Sequence, residues 1–304
     1  MRSVVEERFT TIPWVMVLIS ISFTAGLIGS ILGIGGGIIL IPVLSSFLGV
    51  TIKEAAGASL VCIIATGVVS TRRYLSQRLV NTRLALFLET TAVIGAFTGA
   101  HLAALAPSSA LHIIFSVLLA SLAALQLKGA RREDDLARLM PPLRAARGDH
   151  LAKIFKLSSK YYDAHLKVDV EYNVTNSRLG LMSSLFAGML SSALGIGGGI
   201  LKVPIMNRLM GVPIKVSIAT SQLMITITGS IGVIAYLSLG LLDTSLVAPM
   251  VIGTALGSTL GAMIMNRIKA SKIGIAFGIL LAYLSYVMLG RGLALAFNVY
   301  LPGA

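Results

Sequence analysis

Apolar stretches long enough to cross a lipid bilayer recur along this chain of 304 residues. About 20 consecutive apolar residues span the ~30 Å of hydrocarbon in a bilayer, and the first apolar run extends from Ile12 to Val50. Charged residues make up 12% of the chain and the mean hydropathy is +0.89, whereas a soluble domain carries about 25% charged residues. We therefore predict an all-α polytopic protein of the cell membrane.

The same pattern is present twice, at an offset of 162 residues, the separation of Gly33 and Gly195. Residues 32–42 read LGIGGGIILIP and residues 194–204 read LGIGGGILKVP. The match continues without gaps to the GxxxG pairs Gly95/Gly99 and Gly257/Gly261, which we interpret as helix-packing sites. The predicted organisation is a tail (1–11), a first transmembrane repeat (12–128), a charged cytoplasmic linker (129–173), a second transmembrane repeat (174–290) and a C-terminal tail (291–304).

The distribution of Lys and Arg predicts the orientation of the two repeats. Cytoplasmic loops of membrane proteins are enriched in these residues. Loop 72–83 is basic whereas its counterpart 238–245 is not, and turn 267–272 is basic whereas its counterpart 106–109 is not. Equivalent loops therefore face opposite sides, which predicts inverted-topology repeats, typical of secondary transporters, with both termini outside. The net charge of +13 then reflects orientation and lipid contact, and no nucleic-acid partner is expected.

The leading apolar run of each repeat is too long for one crossing and is interrupted by a glycine cluster. Two interpretations fit: a helix that enters, breaks at the glycines and returns, or two full crossings joined by a tight turn. A broken helix presents unpaired N–H groups at the start of its second half, which attract an anion. The alternative role of the glycines is close helix packing. Within the linker, KVDVEYNV at 167–174 predicts a short strand or hairpin, the alternative being a solvated connector.

The clusters, each followed by GVxIK at 49–53 and 211–215 and by GASL (57–60) or ATSQ (219–222), resemble the TauE/SafE sulfite exporter family, also called the toluene sulfonate uptake permeases. The resemblance covers both repeats and omits the linker. It implies a secondary transporter of small sulfur-containing anions such as sulfite, thiosulfate or organosulfonates. Ala58 stands where the second repeat has Thr220, so a site on this pattern is asymmetric.

Polar residues within the apolar runs complete the candidate site. Lys202 offers positive charge to an anion, or its side chain snorkels to the basic face. Glu89 either carries a coupling proton or pairs with an arginine at the interface. The hydroxyl and amide candidates either donate to the anion or bond to their own helix backbone. The predicted substrate-binding residues are Gly33, Gly35, Gly36, Gly37, Gly195, Gly197, Gly198, Gly199, Ser59, Thr220, Ser221, Gln222 and Lys202.

Several functions are excluded or ranked lower by the sequence. The sequence contains no pair of carboxylates at catalytic spacing, no HExxH motif and no nucleophile elbow, so we do not expect an enzyme. No cofactor is expected either. His101 and His112 are interpreted as interfacial residues and not as metal ligands, and the lone cysteine, Cys62, as an apolar filler. The alternatives to a transporter are an anion channel on the same scaffold and a membrane scaffold or assembly factor that uses linker 129–173.

Overall fold

The computed structural model describes residues 12–139, 149–163, 168–264, 270–299 and 301–302, with residues 126–139, 163 and 270–277 described by their backbone alone. The predicted N-terminal tail 1–11, part of the predicted linker, and residues 267–269 of the predicted basic turn lie outside these ranges.

The chain is mostly helical, as the apolar runs predict. The helices are α1 (Ile12–Leu32), α2 (Gly37–Pro42), α3 (Ile52–Ser76), α4 (Thr82–Leu105), α5 (Ser108–Leu139), α6 (His150–Ile154), α7 (Ser177–Leu194), α8 (Gly199–Pro204), α9 (Ile214–Ser238), α10 (Thr244–Ile264) and α11 (Ala270–Phe297). Within the described ranges, seven are long and apolar enough to cross a membrane: α1, α3, α4, α5, α9, α10 and α11. The prediction of a helical, multi-pass membrane protein is confirmed at this level.

The helix bounds follow the repeat. Elements of the first repeat start at residues 37, 43, 52, 82 and 108, and their counterparts start at 199, 205, 214, 244 and 270. Both α2 and α8 pass through a proline into a π-helical turn, Val43–Phe47 and Ile205–Leu209. Because Pro42 and Pro204 cannot donate the helical N–H bond, the altered hydrogen-bonding pattern begins at the same place in both halves.

Contact clustering divides the chain into two units, of which the first comprises residues 1–41, 53–104 and 146–266. In it α1 packs against α10 and α4 against α7. A Cβ on Gly257 would overlap the carbonyl oxygen of Phe23, and one on Gly95 would overlap that of Leu185. These are equivalent contacts in the two repeats, and they confirm that the GxxxG pairs are packing sites, where small residues let backbones approach closely.

The counterpart helices α3 and α9 lie against each other and run in opposite directions. Near the start of α3, Gly57 faces Tyr236 near the end of α9, with an ideal Cβ 3.4 Å from the tyrosine Cδ1. Further along, Gly67 faces the Gln222 carbonyl oxygen near the start of α9, with an ideal Cβ 2.9 Å away. The contacting residue numbers increase along α3 while they decrease along α9, so the two helices are antiparallel.

Part of the predicted linker folds onto this unit. Strand β1 (Ser159–Asp163) pairs antiparallel with β2 (Val168–Tyr172), with Ser159 opposite Tyr172, which confirms the strand predicted from alternation. The Asn81 side-chain amide, at the start of α4, donates to the Leu157 carbonyl (2.7 Å) and to the Tyr172 hydroxyl (2.8 Å). Leu157 and Tyr172 are buried in the core of the unit, so this segment is not a solvated connector.

The second unit comprises residues 42–52, 105–145 and 267–304. Helices α5 and α11 pack together in it, and the Ser285 hydroxyl of α11 donates to the Ser116 carbonyl of α5 at 2.9 Å. The Arg291 guanidinium donates to the Ser46 carbonyl at 2.5 Å, which ties the π-helical turn after α2 to α11.

Candidate functional site

Each glycine cluster breaks a helix. Between α1 and α2 the φ angles of Gly33, Gly35 and Gly36 are 74°, 77° and 84°, which is left-handed backbone that residues with a Cβ avoid. The same conformation recurs at the junction of α7 and α8. The returning helix Gly37–Phe47 is about 16 Å long at 1.5 Å per residue, too short to cross a bilayer. Of the two sequence interpretations, the broken helix is therefore the one the structure adopts.

The two junctions, Gly33–Gly37 and Gly195–Gly199, which we call the elbows, contact each other. A Cβ on Gly37 would lie 2.8 Å from the Gly195 carbonyl oxygen, and one on Gly199 would lie 2.9 Å from the Ile34 Cα. Only glycine permits this approach from both sides. The repeat of the glycine motif therefore has a direct structural counterpart, because each elbow packs on the other.

Two predicted site serines link the elbows to the long helices. The Ser59 hydroxyl of α3 donates to the Gly195 carbonyl, and the Ser221 hydroxyl of α9 donates to the Gly33 carbonyl, both at 2.8 Å. Ser221 also contacts the Ile218 carbonyl at 2.8 Å. Each hydroxyl thus bonds to the elbow of the opposite repeat. A role of these hydroxyls toward substrate stays a prediction.

Buried N–H groups at the elbows point to a ligand. Throughout the described part of the chain, the backbone N–H groups of residues 36–38 and 198–200 have no hydrogen-bond acceptor, although these residues are buried. The first N–H groups of a helix lack intrahelical partners, and native structures rarely leave buried N–H groups unpaired. The Ser191 hydroxyl, missed in the sequence, is also buried and has no partner within the described ranges, and an ideal Cβ on Gly198 would lie 3.0 Å from it.

Two other predicted residues occupy different surroundings. The Gln222 amide nitrogen donates to the Gly29 carbonyl at 3.1 Å, and its amide oxygen is buried with no partner among the described residues. Gln222 is thus placed beside the first elbow. The Thr220 hydroxyl accepts a hydrogen bond from the Asn81 backbone N–H at 3.0 Å, so Thr220 joins α9 to the start of α4. The Asn81 side chain in turn contacts the β1–β2 hairpin (residues 159–172).

Lys202 and Glu89 form a buried ion pair. The Lys202 Nζ lies 2.5 Å from the Glu89 Oε1, and the two residues are 1% and 4% exposed. The Thr228 hydroxyl of α9 lies 2.9 and 2.8 Å from the two carboxylate oxygens and also bonds to Lys202. Two sequence alternatives are therefore wrong. The Lys202 side chain does not snorkel, because α4 and α9 enclose it, and the partner of Glu89 is this lysine and not an interfacial arginine.

The ion pair has no charged counterpart in the other half of the repeat. The positions equivalent to Lys202, Glu89 and Thr228 are occupied by Leu40, Val251 and Thr66. The Thr66 hydroxyl is buried and has no partner in the described structure. Thr228 was missed in the sequence because a threonine in an apolar helix usually bonds to its own backbone, as Thr228 also does with the Met224 carbonyl.

The histidines and the cysteine contribute no metal site in the described ranges, where no group of three or more His, Cys, Asp or Glu residues could hold an ion. The Nδ1 atoms of His101 and His112 face the carbonyl oxygens of Phe97 and Ser108 in their own helices. Cys62 is fully buried.

Comparison with known proteins agrees with the resemblance seen in the sequence. The model of the family "Sulfite exporter TauE/SafE" matches residues 18–288. The chain is 27% identical over 286 residues to "Probable membrane transporter protein YunE" of Bacillus subtilis, which covers 91% of this chain and 98% of that protein. It is 32% identical over 122 residues to "Sulfite exporter TauE/SafE family protein 1" of Arabidopsis thaliana, or 38% and 26% of the two chains. No solved structure matches the chain significantly. The chain belongs to the TauE/SafE sulfite exporter family.

Proposed function

We propose that this protein moves small sulfur-containing anions, of the sulfite, thiosulfate and organosulfonate class, across the cell membrane by alternating access between two inverted repeats. The coarser statement needs no proposal, since the family and the relatives named as membrane transporters make the chain a multi-pass membrane transporter and not an enzyme. The substrate class is taken from the family description, "Sulfite exporter".

The observation that carries the proposal is the pair of unpaired N–H sets at the elbows, residues 36–38 and 198–200. Helix N-termini attract anions through these groups and through the helix dipole. Two sets on elbows that contact each other suit one small anion with several oxygen atoms. Because dipoles supply part of the positive potential, such a site binds an anion and also releases it, as transport requires.

Inverted topology is supported by the antiparallel contact of α3 with α9. In repeats related by a two-fold axis in the membrane plane, counterpart helices run in opposite directions. The reversed basic character of equivalent loops independently favours the same arrangement. Together they favour both termini on the outer side and the linker that holds the hairpin on the cytoplasmic side.

Reconstitution into proteoliposomes tests the function. Uptake of radiolabelled sulfite, thiosulfate and methanesulfonate is measured against acetate and chloride, with and without the same anion trapped inside. A transporter accelerates uptake when unlabelled substrate is present on the other side, whereas a channel does not. Uptake of none of the sulfur anions, or uptake indifferent to trapped substrate, contradicts the proposal.

Alanine substitutions at the elbows test where the anion binds. Gly36→Ala puts a Cβ 2.6 Å from the Ala25 carbonyl at a φ of 84°, and Gly198→Ala puts one 2.9 Å from the Ser191 Cβ at a φ of 71°. We expect both variants to insert and to lose at least tenfold in anion affinity. Gly229→Ala in α9 is the matched control, because its Cβ meets Ile64 only at 3.3 Å. Equal affinity in all three variants places the anion away from the elbows.

A further inference from the structure

The buried pair Glu89–Lys202 is placed where it can exchange partners with a bound anion. We propose that Glu89 takes up one proton for each monoanion that binds, so that Lys202 transfers its ion pairing from Glu89 to the anion and the two move together without net charge. This inference rests on the proposed function and adds to it the coupling ion, the stoichiometry and the charge state of the substrate.

The first support is the position of Lys202 next to the elbow. Lys202 follows Gly199 by three residues, or about 4.5 Å along the helix axis. Side chains of an α-helix lean toward its N-terminus, so a lysine one turn after the elbow can turn its ammonium group from Glu89 toward the unpaired N–H groups of residues 198–200. A cation on this turn strengthens the same anion site that the backbone forms.

The second support is that, without an anion, the Lys202 ammonium group is already paired with the Glu89 carboxylate. Glu89 and Lys202 are the only buried Asp, Glu, Lys or Arg side chains in the described ranges. The remaining charged groups on the surrounding elements are exposed or partly exposed; they are Arg83 and His101 on α4, Arg178 on α7, Arg208 after α8 and Lys215 on α9. The Tyr236 phenol of α9 is buried and bonds to the Ala193 carbonyl. Therefore the charge of the buried site depends on one carboxylate and one ammonium group.

Charge balance then determines what can enter. With Glu89 ionised, the pair sums to zero, and adding a monoanion alone would leave one uncompensated negative charge in a buried site, which is strongly unfavourable. With one proton on the Glu89 carboxylate, the ammonium and the monoanion again sum to zero. The proton comes from the aqueous side that supplies the anion, and it leaves to the side that receives the anion. No bond other than the carboxyl O–H forms or breaks.

Thr228 allows the partner exchange without loss of hydrogen bonding. Its hydroxyl contacts both carboxylate oxygens and Lys202 and also lies 2.9 Å from the Met224 carbonyl. A hydroxyl both donates and accepts, so Thr228 can accept from a protonated Glu89 after it has donated to the ionised form. The equivalent Thr66 faces no such pair, because Leu40 and Val251 replace the charged residues.

Proteoliposomes with a trapped pH-sensitive dye test the coupling on the unmodified protein. Methanesulfonate is the probe because it remains a monoanion over the whole pH range used, so any pH effect reports on the protein. We expect one proton to move with each methanesulfonate, an initial rate that does not respond to an imposed potassium-diffusion potential, and accumulation of about tenfold per pH unit of gradient. Anion flux without proton movement, or flux driven by the potential, overturns the inference and leaves the proposed function standing.

Variants then assign the proton to Glu89. In Glu89→Gln accumulation should fall from about tenfold per pH unit to none, and whatever methanesulfonate exchange remains should be independent of pH. Thr66→Val is the matched control: it alters the equivalent position outside the ion pair and should keep full coupling. Glu89→Gln with intact proton-driven accumulation overturns the assignment. Absence of exchange of every sulfur anion by the unmodified protein contradicts the proposed function, and the inference with it.

Discussion

Replacing both Lys202 and Glu89, the members of the buried ion pair, is expected to destabilise the folded protein less than replacing either one alone. In Lys202→Met the Glu89 carboxylate, 4% exposed, keeps only the Thr228 hydroxyl as a partner among the residues that the structure describes, and in Glu89→Leu the ammonium group is left with the same hydroxyl. Removing one partner of a buried pair costs about 3–5 kcal/mol. In the double variant both charges are gone and Thr228 keeps its bond to the Met224 carbonyl, so stability should return to within about 1 kcal/mol of the original protein.

Cys62 provides the assay for this cycle. It is the only cysteine of the chain and is fully buried, so a fluorogenic maleimide reacts with it as the protein unfolds. At about 2–4 °C per kcal/mol, each single variant should lower the midpoint of thermal unfolding by roughly 6–20 °C, and the double variant by less than about 4 °C. The double variant should nevertheless lose proton-driven transport. A double variant that is as unstable as the two single losses combined would show that the two side chains contribute independently of each other, and would refute this reasoning.

Three further predictions concern packing, topology and the hairpin. Gly257→Ala, whose Cβ would overlap the Phe23 carbonyl, should lower the unfolding midpoint measured at Cys62, whereas Gly229→Ala should not; equal midpoints would contradict the packing role. Single cysteines at positions 78 and 241, introduced into a Cys62→Ala background, should react with an impermeant thiol reagent from opposite sides of the membrane, and labelling from the same side would disprove inverted topology. Burial opposes ionisation of Asp149, but hydrogen bonds from the Ala152 and Ser177 N–H groups and the Ser177 hydroxyl lower its pKa. Because the pKa of Asp149 is lower in the folded state than in the unfolded state, the ionised carboxylate stabilises the fold above the unfolded-state pKa, about 4. This stabilisation is lost as the pH falls through the folded-state pKa. Asp149→Ala, which also removes a helix cap worth about 1 kcal/mol, should make proteolysis of residues 149–174 about fivefold faster at neutral pH, and this excess should shrink in acid; an unchanged rate would show that Asp149 does not hold the hairpin.

Local features of the fold were predictable from sequence because their causes are local. Apolar runs set the helices, and the glycine clusters broke them at the predicted places because positive φ angles are favourable for glycine. The 162-residue offset reappears in the helix bounds, since equal spacing of breakers produces equal elements. The alternation of residues 167–174 correctly predicted β2.

Contacts between distant segments were not predictable, because they depend on which helices become neighbours. Lys202 and Glu89 are 113 residues apart; two opposite charges isolated in apolar helices were the signal that could have paired them. Likewise, the donation of Ser59 to the Gly195 carbonyl requires the antiparallel contact of α3 and α9. The burial of Tyr172 against Asn81 was not predictable either, because the charged composition of the linker indicates an exposed segment.

The account depends most directly on where the anion binds. Crystals of the protein grown with selenite, the heavier analogue of sulfite, would locate the anion by the anomalous scattering of selenium. We predict one strong peak within hydrogen-bonding distance of the unpaired N–H groups of residues 36–38 and 198–200, with the Lys202 ammonium group turned toward it. A selenite ion bound in the membrane-spanning part of the protein and away from both elbows would contradict the central claim.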